Sequence, residues 1–173
     1  MKHLFKLSGA LLLDQFVGCF AGWMMILCVS VIFKKSMLGH LVALIFCFGF
    51  YAYTCYNSSF KSGFHDSHRA IRDTAYKGYL YKGAISGFIA AIPLLIFYFV
   101  CLFSKLDILK FYYMTVNMYW TWPMSNLFPS NALLIMGLTF VPMILIPWLG
   151  YIAGYKNFLF TDLFMSLYQK SSK

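Results

Sequence analysis

The stretch FHDSHRAIRD, Phe64 to Asp73, packs two His, two Asp and two Arg into ten residues of a chain otherwise poor in charge. His68 and Asp73 within it match the His-x4-Asp spacing of membrane acyltransferases, in which a carboxylate orients an imidazole as the base for an attacking hydroxyl. Such acyltransferases resemble one another in an α/β domain far larger than the polar stretch of 26 residues from Asn57 to Lys82. His68 and Asp73 are therefore the catalytic pair of an alternative reading only. His65 and His68, at i and i+3, share a helix face on which a metal could sit, but Asp66 would point away from it and no third ligand follows at firm spacing. Neither a metal nor a cofactor is expected.

The second chemically loaded position is Asp14, in ALLLDQFVGCFAGW. An acid inside an apolar run is costly, by roughly 2.5 kcal/mol or more, and so faces protein or water rather than lipid. At helical spacing Asp14 shares its face with Gly18, Ala21, Gly22 and Met25, and Gly18 and Gly22 form the small-residue pair that lets a second backbone approach. The matching stripe in GAISGFIAAIP is Gly83, Gly87 and Ala91, with Ser86 and Ala90 beside it. These features predict an interface between the two stripes, with Asp14 reaching Lys82 or Lys77. The competing role is a proton or cation relay. A relay needs a chain of polar groups, and beyond Gln15 the apolar runs offer little more than Ser30, Thr54, Ser86 and Thr139.

The elements that must position these residues follow from composition. Hydrophobic residues make up 61% of the 173 and charged residues 11%, whereas soluble domains carry about 25% charge. The class is an all-α integral membrane protein in a single domain. Four apolar runs approach the roughly 20 residues that cross the hydrocarbon: about 9–33, 38–56, 83–103 and 132–155. The bundle they predict has a polar loop at 57–82, an aromatic loop at 104–131, a tail at 156–173, and interfacial helices in all three. Asp14 interrupts the first run and no polar mature domain follows it, so that run reads as an uncleaved anchor. Pro142 and Pro147 predict a kink in the fourth span. Pro123 and Pro129 argue against a fifth span, leaving the aromatic loop as an interfacial belt or half-inserted cap. The five Cys, all inside spans and without a CxxC, read as packing residues.

Four spans place Lys2, Lys6, Lys61, Arg69, Arg72, Lys77, Lys82, Lys156, Lys170 and Lys173 on one side and Lys34, Lys35, Lys105 and Lys110 on the other. Ten cations against four predicts that both termini and FHDSHRAIRD are cytoplasmic. The net charge of +9 points to anionic lipid rather than nucleic acid. A helix over 61–76 would carry Lys61, His65, His68, Arg69 and Arg72 on one face and Phe64, Ser67, Ile71 and Ala75 on the other. It predicts a basic helix lying on the membrane, with Lys61, Arg69, Arg72, Lys77 and Lys82 at the headgroups.

The segment DTAYKGYLYKGAISGFIAAIPLLIFYF, the aromatic loop and then LGYIAGYKNF are similar to small, uncharacterised multi-span proteins of Gram-positive bacteria. That resemblance covers the second half of the chain and implies a bacterial cytoplasmic membrane without implying a function. Brevity and available packing faces favour a non-enzymatic subunit of a membrane transport or envelope complex, a homo- or hetero-oligomer through its small-residue faces. The alternative is a membrane enzyme or carrier acting on a lipid or small apolar substrate, with the aromatic loop as its lid.

Overall fold

In hydrocarbon a backbone must bond to itself, and long apolar runs do so as helices. The computed structural model describes residues 2–33, 36–72, 79–104, 106–128 and 132–157, and these are helical throughout apart from short connections. The elements are α1 (Lys2–Phe33), α2 (Met37–Arg72), α3 (Lys82–Phe103), α4 (Asp107–Val116), α5 (Met118–Leu127), α6 (Ala132–Leu138) and α7 (Phe140–Tyr155). Four helical stretches are long and apolar enough to cross a membrane: His3–Phe33, Met37–Arg72, Lys82–Phe103 and Leu134–Tyr155. The chain is thus an all-helical, multi-pass bundle, as its hydropathy predicts.

The second span does not end at 56. α2 runs on unbroken to Arg72, so residues 57–72 are neither loop nor a separate surface helix. The reason is a stripe of buried positions at near-constant spacing: Ala43, Cys47, Tyr51, Cys55, Ser59, Gly63 and Asp66. Steps of four residues drift by about 40° around a helix, so the stripe spirals. Cys47 and Tyr51 lie against α1, while Gly63 lies against α7. Continuous packing carries the helix through its polar half. The buried face of that half is neither the basic nor the apolar face expected for a surface helix: Phe64 and Ile71 are exposed, as are Lys61, His65, His68, Arg69 and Arg72. Asp73 and Lys77 lie outside the described residues, as does the tail from 158.

Ser36 starts α2, accepting the Gly39 N–H on its hydroxyl at 3.1 Å, as an N-cap does. The fourth span is broken between α6 and α7, and the break has a local cause. Pro142 lacks the N–H that would reach the Leu138 carbonyl, and its ring crowds that carbonyl; α6 ends at Leu138.

α7 lies between α2 and α3, parallel to α2 and antiparallel to α3. Gly150 faces the backbone of Tyr56 and Gly154 that of Phe60, while Gly83 faces Pro147 and Gly87 faces Met143. The aromatic loop is a helical hairpin, α4 and α5, folded back into the bundle from the end at which α1 turns into α2. Tyr119 of α5 packs on Gly22 of α1 and stacks on Tyr51 of α2, with ring centroids 4.2 Å apart. The half-inserted cap is nearer to this arrangement than the interfacial belt. Pro123 is accommodated inside α5. The core holds Leu7, Leu11, Cys47, Tyr51, Cys55, Ala90, Ala91, Leu94, Tyr119, Met143 and Tyr151. Away from it α1 presents Leu13, Phe16, Phe20, Met24 and Leu27 uncovered, a surface suited to lipid.

Candidate functional site

Two polar clusters are built into the bundle, and a cleft opens beside one of them. The first cluster staples three helices. Asp66 of α2 accepts on Oδ2 from the Tyr151 hydroxyl of α7 at 2.6 Å and from the Lys82 ammonium of α3. All three are buried: Tyr151 is 0% exposed, Asp66 5% and Lys82 8%. Lys82 Nζ also lies 5.7 Å from the centroid of the Tyr151 ring. Lys82, expected at the headgroups, is instead turned inward. The unbroken α2 brings a carboxylate to the start of α3, and an ammonium excluded from water pairs with it. The expectation that Asp66 points away from His65 and His68 holds, since both histidines are exposed. His68 stands edge-on to Phe64, centroids 4.4 Å apart, on the outer surface of α2.

The second cluster holds the hairpin tip. Gln15 of α1 donates from Nε2 to Asn117 Oδ1 at 2.9 Å and accepts on Oε1 from the Tyr119 hydroxyl at 3.1 Å. Asn117 in turn donates from Nδ2 to the Tyr113 carbonyl at 3.1 Å, and Thr121 donates to the Met114 carbonyl at 2.7 Å. Gln15, Asn117, Tyr119 and Thr121 are all buried. Backbone that turns at membrane depth must be satisfied by protein, and these bonds do that around Asn117. In the sequence Gln15 stood only as a neighbour of Asp14. Its signal was a primary amide inside an apolar run, which demands a partner.

Asp14 does not reach Lys82 as expected, and Lys77, the other expected partner, lies outside the described residues. Asp14 lies within electrostatic reach of Ser58 and Lys61 of α2, and its Oδ2 has no hydrogen-bond partner. α1 and α3 do pack against each other, but not glycine to glycine. Gly18 lies against Tyr51, where an added Cβ would sit 3.0 Å from the ring, and Gly22 lies against Tyr119. Gly83 and Gly87 are used by α7, and Ala91 is in the main core. The correction has one physical cause: a small-residue pair permits a close approach without naming the partner, and here tyrosine rings and α7 take the two grooves. The tightest seam joins Gly63 with Gly150 and Gly154, and its sequence signal is GYIAG, which carries the same i, i+4 spacing.

The cleft lies between α1 and the polar half of α2. It is lined by His3, Lys6, Leu7, Ala10, Ser58, Ser62, His65, Asp66, Arg69 and Lys82, with a volume of about 430 Å³. Arg69 and His3 close one side, Nη1 to Nε2 3.1 Å. A second, shallower depression over Phe64, His65, His68, Arg69 and Arg72 lies on the outer face. Between α2 and α7 an apolar groove of about 660 Å³ runs from Ala52 and Ile146 to Lys156. Among the described residues no group of three or more His, Cys or acidic side chains is placed to hold a metal ion.

No family model matches the chain, and neither a curated protein nor a solved structure is similar to it.

Proposed function

We propose that this protein is a non-enzymatic, polytopic subunit of a larger membrane assembly for transport or envelope work, in a bacterial cytoplasmic membrane with both termini in the cytoplasm. The observation that carries the reading is how the interior polar groups are used. A buried ion pair fastens α2 to α3, and the buried Gln15 amide fastens the hairpin to α1. Groups spent on holding helices together are not poised for turnover. His68 adds support, since it projects from the outer face of α2 rather than into the cleft.

The test is the pair that would do chemistry in the alternative, a membrane enzyme or carrier acting on a lipid. Exchanging His68 and Asp73 together for Ala is expected to leave both the cellular level of the protein and the phenotype of a complemented deletion strain unchanged. A lost phenotype at normal protein level would establish the alternative instead. Orientation is checked separately by a reporter fused after Lys173. The ten-to-four distribution of cations predicts activity of a cytoplasm-only reporter there, and activity of a periplasm-only or surface-only reporter would reverse the topology.

A further inference from the structure

We infer that the cleft between α1 and the polar half of α2 is a binding site for one phosphate group, that of a lipid headgroup. The inference goes beyond the subunit reading and needs nothing from it, because it rests on what the cleft contains and how deep it lies.

Donors outnumber acceptors around the cleft. Lys6 stands on α1, Arg69 on α2, and the hydroxyls of Ser58 and Ser62, one helical turn apart, line the wall between them. Asp66, the carboxylate that lines the cleft, is bound on one oxygen by both Lys82 and Tyr151, and Asp14, behind the wall, faces Ser58 and the Lys61 ammonium, so both acids are met from within the bundle. His3 fixes the Arg69 guanidinium at the rim, which removes part of the ordering cost of a binding side chain. An anion entering the cleft therefore meets the exposed Lys6 ammonium, an oriented guanidinium and the Ser62 hydroxyl, with the Ser58 hydroxyl shared with Asp14. That set fits the several acceptor oxygens of a phosphate, which an Arg fork can take two at a time. A volume of about 430 Å³ lies within the roughly 300–1,000 Å³ of small-molecule sites. It admits a phosphate together with its ester substituent.

Depth selects the lipid over a soluble phosphate. α1 has 32 residues and α2 has 36, so they are about 48 and 54 Å long and exceed the roughly 30 Å of hydrocarbon by about 18 and 24 Å. Their other ends are joined by a short connection around Ser36, so the excess lies at the end that holds the cleft. Its walls, 3–10 of α1 and 58–69 of α2, fall where the apolar runs stop, at headgroup level.

The test uses the full-length protein in an uncharged detergent, with dihexanoyl phosphatidic acid, inorganic phosphate and uncharged dihexanoylglycerol as probes, read by native mass spectrometry and by competition. One phosphatidic acid per chain is expected, without detectable dihexanoylglycerol. Lys6→Gln is expected to weaken binding by about tenfold, the loss of one charged hydrogen bond, and Arg69→Gln by at least as much. Lys6 is exposed, so Lys6→Gln should melt as the parent does, and Lys6→Arg should bind as the parent does. Lys110→Gln removes a cation paired with Asp107 on α4 at the opposite end of the bundle, and should change nothing. Phosphate that fails to compete while the lipid binds supports the headgroup. Phosphate that competes at similar concentration overturns the lipid assignment in favour of a soluble phosphate compound. Absence of phosphatidic acid binding, equal binding of dihexanoylglycerol, or equal weakening by Lys110→Gln overturns the site itself.

Discussion

Lys82→Met is expected to be the most damaging single exchange in the protein, lowering its stability by about 3–5 kcal/mol, the range for removing one partner of a buried ion pair. The loss arises from what is left behind. Asp66 remains on the buried face of α2, between α3 and α7, with its side chain only 8% exposed and its charge no longer matched by the Lys82 ammonium, although the Tyr151 hydroxyl still donates to it. Tyr151→Phe removes a hydrogen bond but leaves the pair intact, and is expected to cost about 1–2 kcal/mol. The double variant Asp66→Leu, Lys82→Met removes both charges and is expected to recover most of the loss, because well-packed apolar side chains replace buried ion pairs with little penalty. Unfolding in detergent with increasing denaturing surfactant, followed by intrinsic Trp fluorescence, ranks the variants. A Lys82→Met protein as stable as the parent would mean that Lys82 reaches the headgroups after all, as its sequence position suggests.

The second large effect belongs to the seam between α2 and α7. A Cβ at Gly154 would overlap the carbonyl of Phe60, and one at Gly150 would come within 2.6 Å of the Tyr56 carbonyl. The obstacle in each case is backbone of a neighbouring helix, which cannot rotate aside as a side chain does. Gly154→Leu is expected to cost about 3 kcal/mol or more through overpacking and to loosen α7, with which α3 is also packed. Gly49 supplies the contrast, since nothing lies within 4 Å of a Cβ built there. Gly49→Ala is expected to stabilise α2 by about 0.5–1 kcal/mol, the ordinary gain of removing a helical glycine. Thermal aggregation temperatures of the two variants in the same detergent decide the matter. If Gly49→Ala is the more harmful, the packing of α7 against α2 is not the one described.

Four spans, their approximate places and the all-helical class were legible in the sequence, because hydropathy and helical period are properties of a single continuous run. The same local logic kept Asp66 off the face that His65 and His68 share, and located the effect of Pro142 in the fourth span. The charge of the polar half of α2 suggests a loop in water, whereas the small residues Ser59 and Gly63 on its third face decide that it packs. Where Lys82 points, which groove receives which helix, and how the hairpin is held were decided by tertiary structure. Tyr151 and Asp66 are 85 residues apart, and Gln15 and Asn117 are 102 apart. A glycine stripe or a buried amide announces that a partner is required, yet several segments could serve as that partner. Only the simultaneous packing of α1, α2, α3, α5 and α7 selects among them, since each helix has one set of faces and filling one groove removes it from the others.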